Sequence, residues 1–176
     1  GFGVAWPFLT RVIVASAPLE KGAAIESDIA ALSRLPPVRV VRRLIQAHPE
    51  PCWCLQPPFV EAVKLLPKYN LGFDICIYHP QMLVAIELVK RCPEVSFILD
   101  HIGKPDIRNG LREPWWSEMR ELAKYPNVAV KLSGVITEAD HLSWTPQQVK
   151  PYVAHVVETF GFDRVISSLR PGGEPA

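Results

Sequence analysis

The sequence predicts an α/β fold built on a parallel sheet, and three observations lead there. Six short apolar, β-branched runs recur along the 176 residues. Longer amphipathic stretches lie between them. The runs begin near residues 12, 38, 73, 95, 128 and 165, so strand-plus-helix units take roughly 22–37 residues each, the size of a βα unit.

The strand candidates are residues 12–15 (VIVA), 38–45 (VRVVRRLI), 73–78 (FDICIY), 95–99 (VSFIL), 128–132 (VAVKL) and 165–166 (VI). Most are too short for an independent helix and carry few charges, as strands buried on both faces do. The helix candidates alternate with them. Residues 27–33 are led by Ser and Asp. Residues 59–66 place Phe59, Val60, Val63 and Leu66 near helical spacing, and 82–91 repeat Leu83, Ile86, Leu88 and Val89. Residues 114–122 carry Trp115, Met119 and Leu122, and 146–160 carry Val149, Val153, Val156 and Val157. Thr145-Pro146 fits an N-cap followed by the first helical residue, and Glu113-Pro114 fits the same pattern less well. Trp115 and Trp116 are expected to anchor their helix.

This alternation suits either an open doubly wound sheet or a (β/α) barrel. Both place their chemistry just past the strand C-termini. The open sheet usually announces a phosphate loop after a strand, GxGxxG or GxxxxGK[ST]. Neither is present, and GFGVAW at the start precedes its strand. That favours the barrel.

Composition excludes several classes. Hydrophobic residues at 48% and charged residues at 21% are globular proportions, against disorder of the whole chain. Nineteen Lys and Arg against 18 Asp and Glu leave a net charge of +1, so electrostatics make no case for nucleic acid or an anionic membrane. No apolar run is long enough to span a bilayer. The 18 prolines are scattered, which points to many loops rather than a polyproline tract. Four cysteines (52, 54, 76 and 92) lack zinc-site spacing and read as reduced thiols. The cytoplasm is the default location when targeting signals are not seen. The division expected is one barrel-type domain over residues 1–168, with an irregular Pro/Gly-rich tail over 169–176.

Polar residues at the strand ends carry the chemistry. His101 follows the fourth run inside Asp100-His101-Ile102-Gly103-Lys104-Pro105. An imidazole where a buried strand meets a Gly turn can bind a metal or polarise a carbonyl, or simply cap the loop. His79 and Gln81 follow the third run and can face the same mouth. Lys131 sits deep in the fifth run, where an ammonium is costly unless paired or functional. Ser133 follows it. The second run holds Arg39, Arg42 and Arg43, of which one guanidinium can hold a substrate carboxylate bidentately.

Five strings occur in order: VRRLIQ (41–46), LGFDICIYHPQM (71–82), VSFILDHIGKP (95–105), NVAVKLSGVITEAD (127–140) and FGFDRVI (160–166). Together they resemble the amidohydrolase-related family of the amidohydrolase superfamily, in the branch of L-fuconolactonases, sulfomuconolactone hydrolases and pyrone-dicarboxylate lactonases. The resemblance implies a (β/α)8 TIM barrel of which this chain covers strands three to seven and the start of eight. It implies hydrolysis of a small sugar or dicarboxylate lactone, or of related C–O and C–N bonds. It makes His101 the family's strand-six histidine, a catalytic and metal or substrate ligand, and Arg42 the strand-four arginine that contacts substrate. His79 and Gln81 fall at the strand-five end, and Lys131 (catalytic) and Ser133 (substrate-binding) at the strand-seven end. A divalent metal, Zn or Mn, and a metal-independent site both stay open. The partner implied is a small lactone or carbonyl compound, with a homo-oligomer open.

The departures carry expectations too. Relatives open with an HxH strand, and this sequence contains no HxH. Relatives continue after DRV with a GSDWP-like segment whose Asp is the catalytic base, where this sequence reads Ser167-Ser168-Leu169-Arg170-Pro171. The chain therefore reads as a partial one, expected to turn over little or nothing alone, with exposed sheet edges. The alternative is a non-catalytic ligand-binding protein on the same fold.

Overall fold

The computed structural model describes residues 12–167. The expectations for the opening segment and for the tail past residue 167 lie outside them. Six strands form one parallel sheet: β1 (Ile13–Ser16), β2 (Val38–Arg42), β3 (Gly72–Ile75), β4 (Phe97–Leu99), β5 (Val128–Leu132) and β6 (Val165–Ser167). Five α-helices alternate with them: α1 (Glu26–Ser33), α2 (Pro57–Leu65), α3 (Met82–Arg91), α4 (Trp115–Ala123) and α5 (Pro146–Phe160). The spatial order is β1-β2-β3-β4-β5-β6, and every pairing is parallel. A doubly wound sheet reverses its order at a switch point, whereas sequential order winds one way, as a barrel does. The order is that of a barrel arc, the architecture the sequence favoured. Among the described residues, β1 pairs only with β2 and β6 only with β5.

All six strand candidates form strands, three of them cut back by two or more residues at one end. The second ends at Arg42 rather than residue 45, and the third at Ile75 rather than 78. The fourth begins at Phe97 rather than 95. Ile45, Ile77 and Val95 are buried. They are apolar because they pack, not because they pair, and hydrophobicity alone does not separate the two. Helix α4 begins at Trp115, with Pro114 as its N-cap, not as its first residue. The Glu113 carboxylate accepts from the Ser117 N–H at 3.1 Å, so it caps one turn further in. Helix α5 begins as expected, with Thr145 and Gln148 in a capping box and Pro146 at its first position.

Strand alternation sorts the residues onto two faces. Val41, Phe73, Ile75, Phe97, Leu99, Val128 and Val130 join the core under the helices. Phe59, Phe73 and Phe97 form an edge-to-face series at 6.0 and 6.1 Å, carried by the Phe73–Phe97 register pair. The alternate residues Arg42, Asp74, Cys76, Asp100 and Lys131 fall on the other, concave face, the interior of a barrel. Gly72 begins β3 there because a Cβ would meet the Ser96 carbonyl oxygen at 2.8 Å.

Trp115 is buried and joins helix to site. Its Nε1–H donates to the Ile102 carbonyl at 2.8 Å, in the turn that holds His101. Trp116 stacks on His155 with ring centroids 3.9 Å apart, so both tryptophans anchor α4, against α5 in the case of Trp116. Replacing Trp115 by Phe keeps an aromatic ring but loses indole volume and orphans the Ile102 carbonyl. We expect a loss of about 1–3 kcal/mol in urea unfolding; an unchanged midpoint contradicts the linkage.

His155 is 4% exposed and donates from Nε2 to the Trp116 carbonyl at 2.9 Å. Burial holds its pKa below the ordinary 6.5. The unfolded chain then takes up a proton that the fold resists, so stability falls as pH drops through about 6.5. The measurement is unfolding free energy from pH 7.5 to 5.5. His155→Gln should lose part of that slope, and an identical slope in both proteins refutes the assignment.

Candidate active site

The strand C-termini bring one ionic cluster together. Arg42 ends β2, and its register partner on β3 is Asp74. Arg42 Nη2 donates to Asp74 Oδ2 at 2.6 Å and to Asp100 Oδ2 at 2.7 Å. Asp100, directly after β4, also meets His101 Nε2 at 3.0 Å and Lys131 Nζ at 3.1 Å. Ser133 Oγ lies 3.0 Å from His101 Nδ1. Arg42, His101, Lys131 and Ser133 are therefore neighbours, as the sequence suggested, and the two aspartates are what join them.

The electrostatics follow from burial. Asp100 is 0% exposed, while the Arg42 and Lys131 side chains keep 28% and 27% of their surface. Burial pushes the Asp100 carboxyl up, but the hydrogen bonds and charges of His101 and Lys131 outweigh it and bring it to about 2. Asp74, 1% exposed, moves the other way: burial and the nearby Asp100 charge raise it, against the pull of Arg42. Burial also works against the Arg42 charge, but Asp74 and Asp100 hold it above its ordinary value. An ionised Asp100 only accepts, so His101 Nε2 carries a proton. In the neutral imidazole, Nδ1 then accepts from the Ser133 hydroxyl.

Arg42 presents an open donor. Its Nη2 serves both aspartates, its Nε is buried without a partner, and no protein group among the described residues takes Nη1. The guanidinium is clamped on one side, and its free Nη1 can meet a carbonyl or carboxylate oxygen.

Backbone shape sets His101. His101 and Ile102 have φ of 51° and 49°, in the left-handed region. Gly134 (φ 58°) closes on the ring from β5, where a Cβ would lie 2.6 Å from His101 Nδ1. Gly134→Ala therefore displaces the imidazole. The check is the NMR signal of His101, which should shift along with a fall in melting temperature; an unmoved signal excludes the contact.

The remaining sites differ. Gln81 spends both ends of its amide on backbone, Nε2 to the Ile45 carbonyl at 2.9 Å and Oε1 from the Tyr78 N–H at 3.1 Å. Among the described residues the His79 side chain makes no hydrogen bond; its carbonyl accepts from the Met82 N–H, and it opens the short turn before α3. Neither touches the Arg42–Asp100 cluster. Arg43 pairs with Glu20 at 2.6 Å. Asp74 and Asp100 were not singled out as site residues, yet the cost of a buried charge that marked Lys131 applies equally to Asp74 within FDICI. Gln46 and Lys104 were also passed over. Lys104 Nζ donates to Gln46 Oε1, which Cys76 Sγ also approaches at 3.5 Å. All four cysteines are free thiols.

The amidohydrolase profile matches residues 10–166. The chain belongs to the amidohydrolase family. It is 35% identical to an L-fucono-1,5-lactonase of Burkholderia ambifaria, over 80% of this chain and 48% of that protein. It is 29% identical to an L-rhamnono-gamma-lactonase of Scheffersomyces stipitis, over 93% of this chain and 57% of that one. A crystal structure of an amidohydrolase from Burkholderia multivorans with bound Zn superposes with a TM-score of 0.80 at 23% identity, covering 89% of this chain and 57% of that one. A putative 2-pyrone-4,6-dicarboxylic acid hydrolase from Pseudomonas putida gives 0.65 at 20%, covering 88% and 55%. These likenesses establish the fold as part of an amidohydrolase TIM barrel. The chain spans about half the length of the relatives it matches.

An amidohydrolase fold raises the matter of a metal. Among the described residues no group of three or more His, Cys, Asp or Glu is placed to hold one. His101 has both ring nitrogens engaged, and both buried aspartates face cations. The described residues do not by themselves fit a metal centre. Likewise no described helix is long and apolar enough to cross a membrane.

Asp100→Asn tests the cluster. It weakens the hold on Arg42 and Lys131, and we expect about 2–3 kcal/mol lost, below the ~3–5 of a fully buried pair because both cations reach water. The sign in pH is definite. Depressed from 3.8 to about 2, Asp100 stabilises the fold fully above pH 4 and loses that contribution as pH falls toward 2. The variant should show a shallower acid limb in unfolding; an unchanged limb contradicts the assignment.

Proposed function

We propose that this chain supplies the carbonyl-binding half of a lactone hydrolase acting on small sugar or dicarboxylate lactones. The observation that carries the reading is the Arg42 clamp: a guanidinium fixed through Nη2 by two buried aspartates, one of them shared with His101, with Nη1 unpaired among the described residues. The lactonases among its relatives support the substrate class.

In this reading the lactone oxygen accepts from Arg42 Nη1, which draws charge off the carbonyl carbon. Water adds there, the ring C–O bond breaks, and a hydroxy acid leaves. Lys131 helps keep Asp100 ionised. Ser133 orients the His101 ring through their hydrogen bond, and His101 shares Asp100 with Arg42. Removing the water proton needs a base. Both strand-end aspartates are tied to cations, so neither is free for that task. We therefore expect the 176-residue chain alone to bind lactone and turn it over slowly, about 10²–10⁴-fold below an enzyme with its base in place. The same tie favours the second reading, a ligand-binding protein without hydrolysis.

Calorimetric titration with sugar lactones, followed by a turnover assay with and without Zn²⁺ or Mn²⁺, separates the readings. The proposal expects binding that Arg42→Gln weakens about tenfold or more, the scale of one charged hydrogen bond, with slow turnover above background. Binding with no turnover under any condition supports the ligand-binding reading. Lactone binding that ignores Arg42→Gln, or no binding, refutes both.

A further inference from the structure

We propose that Lys104 forms a carboxylate subsite at the mouth, so that the preferred substrate is a lactone bearing a free carboxylate rather than a neutral sugar lactone. This rests on the lactone reading above and sharpens its substrate class.

The inference begins with charge. In the strand-end cluster two cations, Arg42 and Lys131, face two carboxylates, Asp74 and Asp100. That set is neutral when both carboxylates are ionised. Arg43 is matched by Glu20. Lys104 is different: among the described residues it makes no ion pair. Its ammonium donates to the neutral amide oxygen of Gln46 and sits 4.9 Å from the centroid of the Tyr78 ring. An amide and a ring face orient a cation without neutralising it. One positive charge is therefore left over.

Its position matters equally. Lys104 closes the turn after β4, with its N–H on the His101 carbonyl at 2.9 Å. Its backbone is left-handed (φ 51°), which sets the direction in which the side chain leaves. The side chain crosses the end of β3 to reach Gln46, beyond β2. Gln46 is anchored there by its N–H on the Cys76 carbonyl at 3.0 Å and by the Cys76 thiol on its Oε1. Cys76 lies two residues beyond Asp74, on the same strand face. The ammonium thus stands above the Arg42–Asp74 layer, one step further out along the mouth.

Three donors on the ammonium complete the picture. Gln46 takes one and the Tyr78 face a second. The third, with the unmatched charge, suits a carboxylate oxygen while Arg42 Nη1 holds the lactone carbonyl. Two anchors of this kind also fix the ring's orientation.

The test is calorimetric binding to the full 176-residue chain with two probes. D-glucaro-1,4-lactone carries a free carboxylate and D-galactono-1,4-lactone does not. The expected result is about tenfold tighter binding of the carboxylated probe, the scale of one charge-assisted hydrogen bond. Lys104→Gln should bring the two probes to within about twofold of each other, chiefly by weakening the first, and Lys104→Arg should keep the preference. Added salt should shrink the preference in the parent chain. Equal affinities in the parent chain, or a preference that survives Lys104→Gln in a protein with unchanged melting temperature, overturns the Lys104 subsite and leaves the lactone reading standing. If neither probe binds, the lactone reading itself falls and takes the subsite with it.

Discussion

Asp100 is a carboxylate with no exposed surface, placed where β4 ends, and it meets three cationic or donor groups from three parts of the chain. Arg42 comes from β2, His101 from its own turn and Lys131 from β5. A buried charge of this kind is tolerated only when its partners are in place. The partners in turn need the strand registers that bring them there. Arg42 lies opposite Asp74, and Leu99, just before Asp100, lies opposite Val130, just before Lys131. One carboxylate therefore ties three strands at the level where a barrel places its chemistry. Removing it leaves Arg42 held by Asp74 alone and Lys131 without a carboxylate, so the geometry of the mouth and the stability of the sheet depend on the same group.

The fold divides the work between two faces. The helix-facing side holds the phenylalanine series and Trp115, which make the scaffold rigid. The concave side holds the charges. The link between them is the left-handed turn at His101, pinned from outside by the Trp115 indole and from inside by Ser133 and the close approach of Gly134. A side chain held from both sides has little freedom left to lose.

Much of this was legible in the residues. Short β-branched runs at βα spacing marked all six strands, because a parallel strand covered on both faces is mostly apolar, with charges confined to its end at the mouth. Their ends were less legible: Ile45, Ile77 and Val95 are apolar for packing, and pairing leaves no separate mark in the sequence. Periodicity alone does not separate barrel from open sheet, since it says nothing of neighbours; the missing phosphate loop and the family strings favoured the barrel, and the strand order agrees. At the site, Arg42, His101, Lys131 and Ser133 stood out as polar groups at strand ends, and they do meet. Gln81 and His79 stood out for the same reason and do not join the cluster, because the chain turns at residue 79 and the Gln81 amide is consumed by backbone. Asp74 and Asp100 were hidden by their neighbours: a single acid inside FDICI or beside a histidine draws less notice than the basic residues it serves. The unmatched charge of Lys104 is invisible to sequence, because it depends on which cations find partners.

The central claim is that Arg42, clamped through Nη2, offers Nη1 to a lactone. Nitrogen-detected NMR of the arginine side chains during titration with a sugar lactone reads this directly. Arg42 Nη1 should shift with saturating lactone while the aspartate-bound Nη2 moves little, and the His101 imidazole should respond at the same concentration. Saturable shifts confined to the outer helices, with Arg42 and His101 silent, would contradict it.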